Sequence, residues 1–389
     1  MIRVFVSPSH LCSLYMIAYA RKTNNGIYKD VLILDTPPKK AALIKVITDT
    51  VKIYPWTEII NLSTVIPENI DFTPNVRKSI TRKVKDIFFI KPIYNFLLKL
   101  YLNKQQSNVA KNIKGNLLNK GEISEINILT QTGINNTLFK LYPKASVNYF
   151  EHGQGDYFFI QNIKPYNYNF YCVFADKFKQ YLQSHCQENG YVKNLLEAND
   201  FPLIAREVIN ADNRRETIKT QLSVKGKLIL ILMENVQIYN VPDAFWTDYL
   251  DLCIAQVNNP AEYTFILKPH PTQSHRSIDI SKNYILNKRK LKTLVIENNH
   301  SINYSVEVLY SLWQDNTYYV FSVFSSALYY ISKLYGNEKT TYYYAYDFFK
   351  KYIDDAPVQF IDIYTGIEDV VKNVLTENCI NISDKEWKD

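Results

Sequence analysis

Short apolar runs recur along this chain, each closed by a turn and followed by a segment with helical spacing. Ile2-Arg-Val-Phe-Val6 stops at Ser7-Pro8-Ser9, whose serines suit the N-cap of a helix from His10 to about Lys22. Val31-Leu-Ile-Leu-Asp35 closes on Thr36-Pro-Pro38, Lys39 to Val51 reads as helix, and Glu58-Ile-Ile-Asn-Leu62 as a third strand. Strand and helix in alternation predict a parallel sheet with right-handed crossovers. Ile126 to Leu129, a helix from about Asn135, Ala145 to Phe150, Val173-Phe174 and a helix from Lys177 to Cys186 continue the rhythm. It weakens between Asn189 and Lys225 and restarts after Gly226. Strands are then expected at Leu228 to Leu232, Tyr263 to Leu267, Lys292 to Ile296, Tyr318 to Phe321 and Val358 to Phe360. Helices are expected at Asp243 to Val257, Tyr304 to Trp313, Ala327 to Leu334 and Glu368 to Glu377. The fold class is therefore α/β, with two Rossmann-like domains facing a cleft. The expected division is 1–205, a linker at 206–225, and 226–389, with the last helix a candidate to pack back on the first domain.

A chain of 389 residues suits two cores better than one. With 47% hydrophobic and 14% aromatic residues it carries ample material for them, which excludes global disorder. The net charge of +7 is concentrated. Between Arg77 and Lys104 stand Arg77, Lys78, Arg82, Lys83, Lys85, Lys91, Lys99 and Lys104 against Asp86 alone, so the remainder is close to neutral. This segment, with Phe88, Phe89 and Tyr94, suits an anionic membrane surface, an acidic glycan, or a solvated helix face over a core stripe. No nucleic-acid recognition motif accompanies it. Five scattered cysteines without Cys-x-x-Cys spacing argue against a disulfide framework and fit a reducing compartment. No run reaches the roughly 18 apolar residues a membrane span needs. Leu11 to Ala20 imitates a signal peptide, but Ser7 to His10 interrupts it and the preceding residues read as a strand.

Three segments carry candidate chemistry. The run Ala145 to Phe150 ends on Glu151, and Gly153 and Gly155 follow, which sets a carboxylate at the C-terminal edge of a sheet, where open α/β folds bind ligands. Taken alone it is equally an acid in a surface turn. Phe265 to Leu267 runs into Lys268-Pro-His-Pro271, a cation and an imidazole in a stiff turn, suited to a phosphate or simply to a rigid surface turn. Phe321-Ser-Val-Phe-Ser-Ser-Ala-Leu328 enters a helix through Ser325 and Ser326, either an anion site or a plain N-cap. The chain has no Gly-x-Gly-x-x-Gly, Walker loop, His-Glu-x-x-His or Gly-x-Ser-x-Gly. Dinucleotide oxidoreduction, NTP hydrolysis, zinc chemistry and serine hydrolysis lose weight accordingly.

Together, Leu141 to Tyr157, Lys268 to Pro271 and Phe324 to Leu328 resemble the motifs of bacterial sialyltransferases, closest to glycosyltransferase family 52 and the capsular polysialyltransferases. Those families carry an acid-acid-Gly, a His-Pro and a Ser-Ser motif in this order, and Ser7 to Leu11 looks like their first strand-to-helix turn. The resemblance implies a GT-B fold and an inverting, metal-independent glycosyltransferase. It would move a nonulosonic acid from a CMP-activated donor to a hydroxyl of a lipooligosaccharide, O-antigen or capsule. Carried over by position, Glu151 is the general base and His270 the general acid or phosphate stabiliser. Lys268, Pro271, Ser325, Ser326 and, more loosely, Glu307 fall on the donor. His152, Gly153 and Gln154 fall near the acceptor or the base. No cofactor beyond the donor is implied, and the site of action is the bacterial cytoplasm, peripheral on the inner membrane through Arg77 to Lys104.

One departure stands out, since the second acid of the first motif is His152. Sialic, legionaminic, pseudaminic and Kdo donors share a tertiary anomeric carbon bearing a carboxylate, and the motifs do not separate them. A transferase of polyol phosphate from a CDP donor and a non-catalytic glycan- or nucleotide-binding protein are the competing readings.

Overall fold

In the computed structural model, which describes residues 1–35, 41–62, 121–130, 134–163, 167–185, 191–195, 200–212, 215–296, 304–353 and 365–382, the strand–helix alternation forms two wholly parallel sheets. The basic segment Arg77 to Lys104 and the expected strand Val358 to Phe360 lie outside the described residues.

The first sheet contains β1 (Ile2–Ser7), β2 (Lys29–Leu34), β3 (Glu58–Asn61), β4 (Ile123–Leu129), β5 (Ser146–Phe150), β6 (Tyr168–Cys172) and β7 (Tyr191–Asn194), in the order β3-β2-β1-β4-β5-β6-β7. The second contains β8 (Lys227–Met233), β9 (Tyr263–Pro269), β10 (Lys292–Val295), β11 (Thr317–Ser322), β12 (Thr341–Tyr344) and β13 (Cys379–Asn381), in the order β10-β9-β8-β11-β12-β13. Each order reverses once, between β1 and β4 and between β8 and β11. At such a switch point neighbouring loops leave the strand ends in opposite directions, and the crevice between them is the usual ligand site of an open α/β sheet.

Every residue of β1 is buried, and all of β8 beyond Lys227. A parallel strand covered by helices on both faces needs that continuous apolar run. β6 instead alternates buried Tyr168, Phe170 and Cys172 with half-buried Asn169 and Tyr171. The strand expected at Val173-Phe174 therefore lies one turn earlier, and those two residues belong to the turn after it.

Two buried polar devices pin the first sheet. Arg3 and Asp30 are register partners on β1 and β2 and meet at 2.7 Å, with Asn24 and the Tyr54 hydroxyl also on Asp30. Asn127, Asn148 and Asn169 stand side by side on β4, β5 and β6, and each amide donates to the previous one, at 2.9 and 2.7 Å. A one-residue slip of any of these strands would move its asparagine to the opposite face.

The connection between the sheets is helical, at Asp200–Ala211 and Arg215–Leu222. Pro202 is tolerated in the first turn, where backbone N–H groups lack helical partners anyway. Phe201, Ile204, Ala205, Val208 and Ile209 form the buried stripe of Asp200–Ala211, which packs on helices His10–Thr23, Val306–Tyr310 and Ser326–Tyr335 and so wedges between the halves. The closing helix, 365–375, packs on Ala175–Ser184, where the Tyr181 hydroxyl donates to Asp369 at 2.8 Å. Gly366 lies so close to Phe158 that a Cβ there would be 2.9 Å from the ring. The chain then returns to the second sheet as β13.

Candidate active site

β5 delivers Glu151 to the C-terminal edge of the first sheet, fully buried. Its amide donates to the Tyr171 carbonyl at 3.1 Å, its Oε1 accepts from the Val173 amide at 2.6 Å, and its Oε2 accepts from the Tyr330 hydroxyl at 3.4 Å. Burial pushes the carboxyl up to about 8, against the lowering effect of the Tyr157 hydroxyl and the Val173 amide. Tyr330 belongs to the second half, on Ser326–Tyr335, so the two halves meet on this carboxylate.

The turn after Glu151 is shaped by a residue the sequence reading passed over. Asp156 Oδ2 accepts from the His152 amide at 2.6 Å and the Gly153 amide at 3.0 Å, while Oδ1 takes the Thr130 hydroxyl. This is a helix-capping arrangement, with the acid at the third helical position reaching back to the cap. The Gly153-x-x-Asp156 spacing was its signal. His152 contributes its amide to that turn, and its side chain is exposed.

Across the cleft, the Gln154 amide donates to Ser326 Oγ at 3.0 Å. A Cβ on Gly153 would sit 3.3 Å from that same Oγ, so the bare glycine admits the close approach. Ser325 caps Ser326–Tyr335 by accepting from the Ala327 amide at 3.3 Å. The Ser325 amide is itself engaged, by Ser322 Oγ at 2.7 Å and by Glu234 Oε1 at 2.9 Å.

Glu234 was also missed, although a carboxylate directly after the run Leu228 to Met233 obeys the rule that picked out Glu151. It stands at the switch point between β8 and β11. Its Oε1 collects the Ser322 hydroxyl and the amides of Phe324 and Ser325, while Oε2 is buried with no hydrogen-bond partner. Burial pushes it up to about 7.

His270 follows β9, one strand further along the same edge, and is exposed. Its Nδ1 accepts from the Thr272 amide at 3.2 Å, so in the neutral ring the proton rests on Nε2. Pro271 is exposed beside it. Lys268 and Glu307 lie beneath this surface, both buried. The Lys268 ammonium donates to the Pro269 carbonyl at 3.0 Å and is pushed down to about 8 by burial, with the Glu307 charge opposing. Burial likewise pushes Glu307 up, with Lys268 opposing. These two act on each other, and neither is exposed at the strand edge.

His10, the first residue of His10–Thr23, accepts from the Ser305 amide at 3.3 Å through Nδ1 and meets Thr50 Oγ1 at 2.8 Å through Nε2. Burial pushes it down to about 3, so it is a neutral bridge between the halves. Among the described residues no cluster of three or more His, Cys, Asp and Glu side chains is arranged to hold a metal, and no helix is long and apolar enough to cross a membrane.

The architecture is similar to that of UDP-GlcNAc 2-epimerase from Methanocaldococcus jannaschii, with a TM-score of 0.55 at 10% identity over 99% of this chain and 89% of that one. UDP-GlcNAc 2-epimerase from Neisseria meningitidis gives 0.48 at 11% identity over 84% and 78% of the two chains. An α,α-trehalose-phosphate synthase from Burkholderia vietnamiensis gives 0.39 at 9% identity over 97% and 93%. At 10% identity the likeness to the first of these is one of fold, and the fold is GT-B, with two Rossmann-like domains. No protein-family model and no curated protein matches the sequence.

Proposed function

We propose that this GT-B protein is an inverting, metal-independent glycosyltransferase with no cofactor beyond its donor, moving a nonulosonic acid from a CMP-activated donor to a hydroxyl of a bacterial surface glycan. The observation that carries the reading is convergence. The turn carrying Glu151 and the helix entered through Ser325 and Ser326, far apart in sequence, are in direct contact. The Glu151 turn touches the serine helix through Gln154 and Ser326 at 3.0 Å, and the His270 loop lies along the same sheet edge.

In this reading Glu151 accepts the proton of the acceptor hydroxyl as that oxygen attacks the anomeric carbon from the face opposite the phosphate. The bond between that carbon and the phosphate oxygen breaks with its electron pair, and CMP leaves as a phosphate monoester. The Nε2–H of His270 and the hydroxyls of Ser325 and Ser326 stabilise the charge that develops there. A base raised to about 8 is well matched to a hydroxyl near neutral pH, provided it is ionised when the acceptor arrives. Because the Tyr330 hydroxyl covers it and the Gln154–Ser326 contact closes the turn beside it, the acceptor's approach requires the two halves to part at these contacts. The enzyme would act in the cytoplasm against the inner membrane, where a lipid-linked acceptor is presented.

Thermal unfolding with CMP, CDP, UMP and UDP, followed by donor screening by mass spectrometry, tests the reading. Stabilisation by CMP, transfer that releases CMP, and loss of transfer in Glu151→Gln are expected. Stabilisation by UMP or UDP but not CMP would overturn the donor assignment, and phosphate retained in the product would point to polyol phosphate transfer instead.

A further inference from the structure

The end of β8 carries two polar residues that belong to none of the three motifs, Glu234 and Asn235. They stand between the two donor loops. Adjacent strands are about 4.8 Å apart, so the loops after β9 and β11 are separated by about 10 Å with β8 between them. Asn235 Nδ2 donates to Thr272 Oγ1 at 2.8 Å, and Thr272 in turn holds His270 Nδ1. Glu234 Oε1 gathers the Ser322 hydroxyl and the amides of Phe324 and Ser325. One dipeptide thus grips the histidine loop with one side chain and the serine turn with the other.

We propose that Glu234 is a positioning residue of the donor site, shaping the Ser322–Ser326 turn for a nucleotide phosphate and coupling phosphate binding to the uptake of one proton. The proposal rests on the reading of Ser325 and Ser326 as phosphate ligands. Three donors on Oε1 leave that oxygen an acceptor in either charge state, and a proton is carried by Oε2, at which no donor is directed. A second anion at the same helix end disfavours the ionised carboxylate, and the cost is relieved when Glu234 is protonated.

Of the groups packed around it, the phenols and the thiol do not substitute for that proton. Tyr249 and Cys253 on Ala244–Ala255, and Tyr329 on Ser326–Tyr335, are pushed up by burial and stay neutral. On the neighbouring strand Lys268, which donates to the Pro269 carbonyl and is pushed down to about 8 by burial, titrates in the same range, so the Glu234→Gln variant is what assigns the proton. His270 lies beyond it, held by Thr272. With its own carboxyl near 7, Glu234 gains a proton in response to a modest added charge.

The experiment is calorimetric titration of CMP into the full chain and into Glu234→Gln, Glu234→Ala and Ser326→Ala between pH 6 and 9. Wild-type affinity should fall by up to about tenfold per pH unit above 7, beyond the effect of the phosphate's own ionisation near 6. Buffers of different ionisation heat should report up to one proton taken up, and its loss in Glu234→Gln separates Glu234 from Lys268 and Glu151, which titrate nearby. Glu234→Gln keeps the acceptor oxygen and should lose both the slope and the uptake while binding at least as tightly at pH 8. Glu234→Ala, which leaves the turn's donors orphaned, should bind at least about tenfold more weakly at every pH. No uptake by wild type, or a Gln variant with the wild-type slope, overturns the coupling. Weakening by Ser326→Ala while Glu234→Ala binds as wild type overturns the positioning role. No CMP binding by wild type, or full binding by Ser326→Ala, removes the serine reading itself and the proposal with it.

Discussion

Replacing Glu151 by Gln should change how stability depends on pH, in a direction and size that the buried contacts define. The carboxyl is fully buried, with Oε1 held by the Val173 amide and Oε2 by Tyr330, and its folded value is about 8 against an ordinary 4.5. That gap corresponds to about 5 kcal/mol, at about 1.36 kcal/mol per tenfold in acidity. A folded value raised above the unfolded one stabilises fully below about 4.5, and the contribution is lost as pH rises through about 8. About 5 kcal/mol is a ceiling, because parting Tyr330 from the carboxylate readmits water at lower cost. Glutamine stays neutral throughout and keeps an oxygen for the Val173 amide. Urea unfolding at pH 5, 7 and 9 should therefore show wild type losing several kcal/mol more than the variant. Glu234, Glu307 and Glu125 are also raised by burial, but they titrate in both proteins and cancel in the difference; Asp156, whose charge helps raise Glu151, does not cancel fully and reduces the difference. Parallel pH profiles would mean that Glu151 is hydrated in solution, and the reasoning about the closed cleft would be refuted.

Three further outcomes follow from the same contacts. Transfer activity should rise with pH, be half-maximal near 8 and level off about one unit higher, as the proposed base ionises; a profile flat from pH 6 to 9 would exclude Glu151 as the base. Asp30→Ala leaves the Arg3 guanidinium buried without its partner and should cost about 3–5 kcal/mol in denaturant unfolding; a loss under about 1 kcal/mol would show that water reaches Arg3. Gly153→Val should drive the halves apart, because even a Cβ would stand 3.3 Å from Ser326 Oγ. Small-angle scattering should record the larger radius, and the pH dependence of stability assigned to Glu151 should shrink with it.

Much of this arrangement was legible in the residues, for reasons that can be named. The long apolar runs of β1, β2, β8 and β9 announce buried parallel strands, and the turns after β5, β9 and β11 locate Glu151, His270 and Ser325 at strand ends. Less legible were elements whose burial comes from tyrosine, asparagine and cysteine rather than aliphatic residues, such as β6, β12 and β13. The helix His275–Asn283 buries only Ser277 and Ser281 and so shows no apolar stripe. Spacing did mark the buried face of Asp200–Ala211, but Pro202 obscured it. Glu234 and Asp156 were reachable from local rules. By contrast, the burial of Lys268 beside Glu307, and the reach of Tyr330 to Glu151, depend on contacts between distant segments that no local pattern encodes.

The closing helix carries a consequence for how such a protein can be rearranged. By packing residues 365–375 on Ala175–Ser184 before returning to the second sheet as β13, the chain makes its first half discontinuous in sequence. A chimera joined once near residue 225 would pair the Phe158 and Tyr181 surface with a foreign tail. Exchange of one half for another must therefore carry two cuts more, so that Gly366 and Asp369 travel with the surface they cover. Recombination between relatives is constrained in the same way, and new combinations are easier to reach by substitution within each half than by swapping halves whole.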